Sequence, residues 1–308
     1  MANSQTDQAE GLRRLLVQDS TCIATITSGG ARAGRTTTVI NLAAALAGGG
    51  KNVLVIDENV GANNLAGMLA ITAHRDLLDV IRHDKVLGEV ILSTPVGFRI
   101  LPAGRGLRVL ETLSAQDRAH LVDSFACFTG PVDVVLIDAA PGRASRFLPL
   151  VFSSHEIVVV VSPDPSSITA AYGLIKYVKG DRTEVPNVHV LVNRARTEAE
   201  ARLIFDNMES AARHYLGLPL DFTGFIPQDG KLSLGHAVAG KLETRSTGAF
   251  RRVAESLAQW PSLQTGVTGV TGVTGGKGMD SLVKCLLRSI QGSRPGFVSA
   301  ESRQPSHV

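Results

Sequence analysis

Short runs of apolar and β-branched residues alternate along the chain with longer segments in which apolar residues recur at helical spacing. The short runs predict strands at residues 22–27, 52–57, 98–101, 132–138, 156–162, 188–193 and 222–226. The longer segments predict helices at residues 36–46, 114–128, 167–178, 198–215 and 247–260. Because strands that alternate with helices form parallel sheets covered on both faces, we predict a doubly wound, mostly parallel α/β fold.

The pattern changes after Pro261, where a Gly-Val-Thr triplet occurs three times within residues 266–274. Regularly spaced glycine without apolar periodicity is typical of a flexible linker. Beyond it, one face of a short predicted helix carries Leu282, Val283, Leu286, Leu287 and Ile290. We therefore predict an N-terminal segment at 1–20, an α/β domain at 21–261, a linker at 262–278, and an amphipathic helix with a tail at 279–308.

Composition narrows the class of protein. The chain has 308 residues, 44% of them hydrophobic, and no apolar run long enough to span a bilayer. Cys22, Cys127 and Cys285 are far apart and lack a Cys-x-x-Cys pair, which argues against a disulfide framework and a zinc site. The net charge of +3 is small and the basic residues are scattered. These features predict a cytoplasmic protein, and the charge does not predict binding to nucleic acid.

A glycine-rich segment joins the first predicted strand to the first predicted helix and consists of Gly29, Gly30, Ala31, Arg32, Ala33, Gly34, Arg35, Thr36 and Thr37. Its frame, G-x-x-x-x-G-R-T, is that of a Walker A phosphate loop in which Arg35 replaces the lysine. Backbone N–H groups in such a loop bind phosphate, and the Thr36 hydroxyl is a predicted Mg²⁺ ligand. The alternative is a glycine-rich turn that binds no nucleotide.

This loop and the segments after two later strands resemble those of the MinD/ParA family of P-loop ATPases. The family loop carries a Walker A lysine and a second, signature lysine, and here Arg35 and Gly30 occupy those positions. Ala31 and Arg32 replace the two glycines that follow the signature lysine. A left-handed backbone at either position would cost roughly 1–2 kcal/mol. Because a planar guanidinium substitutes poorly for a compact ammonium, we predict that ATP hydrolysis is weakened or lost.

The resemblance implies catalytic roles for Asp57, Asn59 and Asp138. Asp57 begins the segment D-E-N-V-G where the family has D-x-D-x-G, and Asp138 begins a segment that resembles Walker B and switch II. In the family such carboxylates hold Mg²⁺ with the loop threonine, which implies Thr36, Asp57 and Asp138 as metal ligands. Asn59 is able to orient water but not to take its proton, so hydrolysis is predicted to be slow or absent. A helix-capping role is the alternative for Asp138.

Two further positions match the family's adenine-pocket segments. Asn193 ends the sixth predicted strand, and Pro227 follows the last one. The resemblance therefore implies ATP and Mg²⁺ as cofactors. Strands often end in Asn or Pro because these residues favour turns, so a structural role is the alternative.

The N-terminal segment resembles the D-Q-A-x-x-L-R element of the flagellar branch of this family, FlhG (FleN), through Asp7, Gln8, Ala9, Leu12 and Arg13. The resemblance covers residues 7–261. It implies a regulator of flagellar number or placement that binds the GTPase FlhF and, as further partners, flagellar transcription regulators or switch-complex proteins. It also implies an ATP-dependent homodimer. A solvated amphipathic helix resting on the domain is the alternative for this segment.

The terminal helix has two interpretations. Its apolar face matches the family's lipid-binding helix, which implies peripheral contact with the inner face of the cell membrane. Packing of Leu286 and Ile290 back on the domain, or disorder of the helix in isolation, is the alternative. Three functions result: a flagellar regulator that acts by binding partners, a slow Mg-dependent ATPase, and a ParA-like partition protein. The last requires a clustered basic face, which the sequence lacks.

Overall fold

The computed structural model describes residues 21–61, 64–142, 156–180, 185–230, 245–260, 282–284 and 287. Its strands are β1 (Cys22–Thr27), β2 (Val53–Asp57), β3 (Leu92–Ser93), β4 (Arg99–Pro102), β5 (Val134–Asp138), β6 (Glu156–Val161), β7 (Val188–Ala195) and β8 (Asp221–Pro227). They form one sheet in the order β3-β4-β2-β5-β1-β6-β7-β8. Its neighbouring strands are parallel, except that β3 pairs antiparallel with β4. The predicted mostly parallel α/β fold is confirmed.

The helices are α1 (Arg35–Gly48), α2 (Leu65–Met68), α3 (Leu77–Ile81), α4 (Leu87–Val90), α5 (Gly104–Val109), α6 (Ala115–Ala126), α7 (Pro165–Lys179), α8 (Glu198–Leu216) and α9 (Arg245–Ala258). Local sequence explains several of their ends. Ser114 begins α6 with a capping box that involves Asp117, and the Thr197 side chain caps α8 by accepting from the Glu200 N–H. Gly217 ends α8 in the left-handed conformation that favours glycine.

Apolar side chains from the strands pack alternately on the two faces of the sheet. Val53 and Val55 of β2 join a cluster with α1 and α9, whereas Leu54 and Ile56 join a second cluster with α3 and α6. A third cluster lies among β6, β7, α7 and α8. Every residue of β1, β2, β5 and β6 is buried, which explains why apolar residues predominate in their sequences.

The C-terminal residues that the structure describes pack on the domain. Leu282, Val283 and Leu287 are buried and belong to the second cluster, while Lys284 on the same helix is exposed. The side chains of Leu286 and Ile290 lie outside the described residues. The described residues of the apolar face thus pack on the domain, whereas packing of Leu286 and Ile290 and contact with lipid both stay predictions.

All seven predicted strands and five predicted helices have counterparts within a few residues of their predicted ends. The sequence did not predict α2–α5 or β3, because elements of two to six residues are too short to show a periodic pattern. The predicted segment 1–20 and linker 262–278 lie outside the described residues, so the domain boundaries stay predictions. Within the described ranges, no helix combines the length and apolar character needed to cross a membrane.

Candidate functional site

The carboxyl ends of β1, β2 and β5 meet at one edge of the sheet. β5 lies between the other two strands, and its register with β2 sets Asp57 opposite Asp138. The glycine-rich loop leaves β1 at this edge and enters α1 at Arg35. The structure therefore brings the predicted phosphate loop and the two predicted acidic residues together, at the place where open α/β sheets bind ligands.

Two glycines of the loop are required by its geometry. A Cβ on Gly29 would lie 2.0 Å from the carbonyl carbon of Ala170 in α7, so the loop packs directly on that helix. Gly34 has φ +85°, and a Cβ there would lie 2.2 Å from Nδ2 of Asn193. Gly34 is also the N-cap of α1 and supplies no side-chain cap, so the first-turn N–H groups of α1 face the loop. This is backbone geometry that suits an anion.

Arg32 occupies one of the former glycine positions and has a left-handed backbone, with φ 68°. Its carbonyl oxygen accepts a hydrogen bond of 3.2 Å from Nη1 of Arg194, which is itself left-handed with φ 62°. The Arg32 side chain is exposed, as is that of Ala31. The loop thus keeps a conformation that favours glycine at a position where the sequence has arginine.

Arg35 points toward the acidic end of the site. Its Nε donates to Oδ1 of Asp138 at 2.5 Å, and its Nη2 donates to Oδ1 of Asn59 at 2.7 Å. Nη2 also lies 3.5 Å from the Thr36 hydroxyl oxygen. Arg35 therefore joins the start of α1 to the ends of β2 and β5.

Asp57 and Asn59 complete a compact polar network. Oδ1 of Asp57 accepts from the backbone N–H and from Nδ2 of Asn59, at 2.9 and 2.8 Å. Oδ2 of Asp57 accepts from the Leu65 N–H at 2.7 Å, at the start of α2. Nδ2 of Asn59 also donates to Oδ2 of Asp138 at 2.9 Å. The Asn59 amide thus bridges the two carboxylates.

Burial has the largest effect on the pKa values of Asp57 and Asp138. Desolvation raises the pKa of Asp138 from 3.8 to about 6, although the charge of Arg35 lowers it; the neighbouring charge of Asp57 raises it further. Desolvation also raises the pKa of Asp57, against hydrogen bonds from Asn59 and Leu65 that lower it. Two neighbouring buried carboxylates disfavour simultaneous ionisation, and the cation of Arg35 offsets part of that cost.

Glu58 is a site residue that sequence reasoning did not identify. Its side chain is buried, and Oε2 accepts from the Ala140 N–H at 2.7 Å. The Gly142 N–H in turn donates to the Ser28 carbonyl at 2.7 Å. The segment after β5 is therefore tied both to the segment after β2 and to the phosphate loop. The only signal in the sequence was the position of Glu58 directly after Asp57 in the D-E-N segment.

The two predicted base-pocket residues lie on neighbouring strands. Asn193 pairs in register with Ile226, and Ala195 pairs with Pro227 across a β-bulge. Nδ2 of Asn193 donates to the Ala33 carbonyl at 2.8 Å, which ties β7 to the phosphate loop. Asn193 therefore has a structural contact with the loop in this conformation, in addition to any contact with a base.

Comparison with known proteins identifies the family. A family model described as an AAA domain matches residues 20–189. The antiactivator FleN of Pseudomonas aeruginosa is 32% identical over 243 residues, which cover 77% of this chain and 86% of FleN. The chain belongs to the MinD/ParA family of P-loop NTPases, in its FlhG (FleN) branch. The flagellum site-determining protein YlxH of Helicobacter pylori is 28% identical over 200 residues, or 62% of this chain and 67% of YlxH.

Solved structures of the MinD/ParA family share the fold. A chain of the MinC:MinD cell division complex of Aquifex aeolicus superposes with a TM-score of 0.60 at 23% identity and covers 83% of this chain and 100% of that chain. MinD complexed with Mg-ADP from Pyrococcus horikoshii gives a TM-score of 0.56 at 23% identity, covering 80% of this chain and 100% of that chain. At 23% identity, these similarities support the fold alone.

The residues present fit the two halves of a MinD/ParA nucleotide site unequally. The loop backbone, with Gly29 against α7 and left-handed Gly34 before α1, fits a phosphate chain. The arrangement of Asp57, Asp138 and Thr36 does not fit Mg²⁺, because the Arg35 guanidinium lies against Asp138 and Thr36. In this conformation a cation from the chain itself occupies the acidic end of the site.

The remaining predicted positions lie around the phosphate loop or outside the described residues. Gly30, Thr36 and Thr37 are partly exposed around the loop, and Ala33 is buried. The predicted partner-binding residues lie outside the described residues: Asp7, Gln8, Ala9, Leu12 and Arg13. Among the residues that the structure describes, no group of three or more His, Cys, Asp or Glu side chains is arranged to hold a metal ion.

Proposed function

We propose that this chain regulates flagellar number or placement as an FlhG-type protein, by binding partner proteins, with a weakened ATP switch. The observation that carries this proposal is the 32% identity to FleN, which extends over 77% of the chain. The similarity to YlxH, a flagellum site-determining protein, supports the same branch. The similarity to FleN and YlxH thus supports the functional class. The altered phosphate loop is the feature in which this chain differs from the family pattern.

The weakened switch follows from Arg35. Its contacts with Asp138 and Asn59 occupy the residues that would organise metal and water, and Asn59 replaces an acid in the family pattern. A MinD-type fold with this network binds adenine nucleotide through the loop backbone but turns it over slowly or not at all. Nucleotide-dependent dimerisation and attachment to the membrane through residues 279–308 are retained only in part.

The proposed partner is an FlhF-type GTPase, which the N-terminal D-Q-A element would bind. Binding of purified full-length chain to that GTPase should fall at least tenfold when Gln8 and Arg13 are both replaced by alanine. Gln5 and Arg14, of the same residue types in the same segment, provide the matched control pair. Equal loss in both double variants would contradict a specific role for the D-Q-A element.

Deletion of the gene tests the function itself. Cells that lack the protein should show a changed number or position of flagella by electron microscopy, and expression of the wild-type chain should restore the original distribution. Restoration by the Asp138→Ala variant would show that regulation proceeds without ATP hydrolysis. An unchanged flagellar distribution in the deletion strain would refute the proposal.

A slow Mg-dependent ATPase is the second candidate, and the convergence of Thr36, Asp57 and Asp138 favours it. In this case Arg35 would withdraw from Asp138 when nucleotide binds. Phosphate release from Mg-ATP should then exceed that of the Asp138→Ala variant purified in parallel. Release at the level of that variant would dispose of the enzyme hypothesis and leave partner binding as the function.

A further inference from the structure

The guanidinium of Arg35 is a fixed cation among the residues that the family assigns to metal and water. It donates to Asp138 through Nε and to Asn59 through Nη2, at 2.5 and 2.7 Å. The side chain of Arg35 is only 10% exposed and that of Asp138 is 0% exposed. Because both groups are removed from water, the charge of each is compensated chiefly by the other.

Hydrogen bonds from the protein itself satisfy all four carboxylate oxygens of the two acids. Oδ1 of Asp138 accepts from Arg35 and Oδ2 from Asn59. Oδ1 of Asp57 accepts twice from Asn59, and Oδ2 accepts from the Leu65 N–H. The chain thus supplies donors for its own acidic end, in a geometry that joins the start of α1 to the ends of β2 and β5.

A divalent cation would have to displace this arrangement. Mg²⁺ requires oxygen ligands at about 2.0–2.1 Å in octahedral geometry, which the Arg35 contacts with Asp138 prevent. A guanidinium does not lose its proton in proteins, so Arg35 would remain a cation beside the incoming dication. Binding of the metal would therefore require the largely buried Arg35 side chain to rotate away and Asp138 to exchange one cation for another.

We infer that Arg35 acts as the resident cation of this site and makes nucleotide binding independent of divalent metal. It is a positioning residue that holds Asn59 and Asp138 in place. This role of Arg35 rests on one part of the proposed function, namely that the phosphate loop binds adenine nucleotide. The ligand class is an adenosine diphosphate or triphosphate that is free of metal.

Calorimetric titration of the full chain with ADP tests this, in buffer with excess EDTA and in buffer with MgCl₂. The wild-type dissociation constants in the two buffers should agree within twofold. The Arg35→Lys variant should bind ADP at least tenfold more tightly with MgCl₂ than with EDTA. A lysine has one charged nitrogen and lacks the Nε that contacts Asp138, so it cannot make both contacts of Arg35 in the same geometry.

The matched control is Arg213→Lys, because Arg213 also forms an ion pair, with Glu209, but is 67% exposed and lies on α8. This variant should behave as wild type in both buffers. Melting temperatures of all three proteins, measured with and without MgCl₂ in the absence of nucleotide, verify that each is folded. The wild-type comparison requires no variant, so the test stands even if Arg35→Lys does not fold.

Three results would overturn the inference. One is wild-type binding that tightens tenfold or more with MgCl₂, and another is a folded Arg35→Lys protein that remains indifferent to MgCl₂. The third is wild-type protein that does not bind ADP at millimolar concentration in either buffer. None of these results bears on the flagellar distribution in a deletion strain, so failure here is distinguishable from failure of the proposed regulatory role.

Discussion

Arg32 shows that the phosphate loop has kept a backbone its present sequence does not favour. The family pattern has glycine at this position, where φ is 68°. An L-residue with a Cβ carries a strain of roughly 1–2 kcal/mol in the left-handed region. Of the two positions where the family has glycine, Arg32 therefore has the left-handed backbone that costs energy. Ala31 does not.

Replacing Arg32 by glycine should raise the free energy of unfolding by about 1 kcal/mol, since relief of strain exceeds the extra entropy of glycine in the unfolded chain. Urea denaturation of the purified chain measures this. Ala31→Gly is the matched control, and it should lower the free energy of unfolding by up to about 1 kcal/mol. Stabilisation of equal size in both variants would contradict strain at Arg32.

Asp138 should make the protein less stable as pH rises, whereas an ordinary salt-bridged acid, whose pKa is lowered, makes a protein more stable as pH rises. Its pKa is raised by burial to about 6 from 3.8 in the unfolded chain, so the folded state binds the proton more tightly. Stability from this group is therefore lost as pH rises from about 4 to about 6.

The measurement compares wild type with Asp138→Asn by urea denaturation at several pH values. The free energy of unfolding of wild type relative to the variant should fall by about 2 kcal/mol between pH 4 and pH 6.5. A relative stability that rises over this range would mean that the charge of Arg35 outweighs burial and holds the pKa of Asp138 below its ordinary value.

At the scale of elements, the loop is positioned by α7 as well as by α1. The closest approach is at Gly29, where an added Cβ would lie 2.0 Å from the Ala170 carbonyl carbon. At Gly30 the nearest atom to an added Cβ is the Ala170 side chain at 3.7 Å, which is an ordinary contact. Of these two adjacent glycines, packing against α7 thus requires only Gly29.

Gly29→Ala should lower the free energy of unfolding by about 3 kcal/mol and weaken ADP binding, because the loop must move away from the α7 backbone. Gly30→Ala should change the free energy of unfolding by less than about 1 kcal/mol. Urea denaturation and ADP calorimetry of both variants supply the comparison. An equal effect of the two substitutions would show that α7 does not constrain the loop.

The pattern of apolar residues predicted the strands and helices in which buried positions recur at a constant spacing. The runs at β2, β5 and β6 are apolar except for one acid at an end of each strand, because helices cover both faces of the sheet there. Gly29, Gly34 and Asp138 were identified because a motif fixes their spacing along the chain. The direction of Arg35 and the contact of Glu58 with Ala140 depend on how β2, β5 and α1 meet, which no local pattern encodes.

At the scale of the whole molecule, the described apolar residues beyond Trp260 belong to the core. Leu282, Val283 and Leu287 are buried in the cluster that includes Leu77 and Leu121. Burial of these side chains adds apolar contacts to the second cluster. The terminal helix therefore contributes to stability, and lipid binding through the same face would require it to leave the domain.

Leu282→Ala should lower the free energy of unfolding by about 3 kcal/mol, through lost transfer energy and the cavity left behind. Urea denaturation of the full chain measures the change. Lys284→Arg, on the exposed side of the same helix, is the control and should change the free energy of unfolding by less than about 0.5 kcal/mol. If Leu282→Ala had as little effect, the helix would not be docked in solution.

The strand order also determines when the site can appear as the chain is synthesised. Asp57 and Asp138 are neighbours only because β5 inserts between β1 and β2, two strands that precede it in the sequence. A nascent chain that has emerged only as far as α6 thus carries the complete phosphate loop but lacks Asp138, the ion-pair partner of Arg35. The cation of Arg35 then finds its buried counter-charge late, when this long-range pairing closes the centre of the sheet.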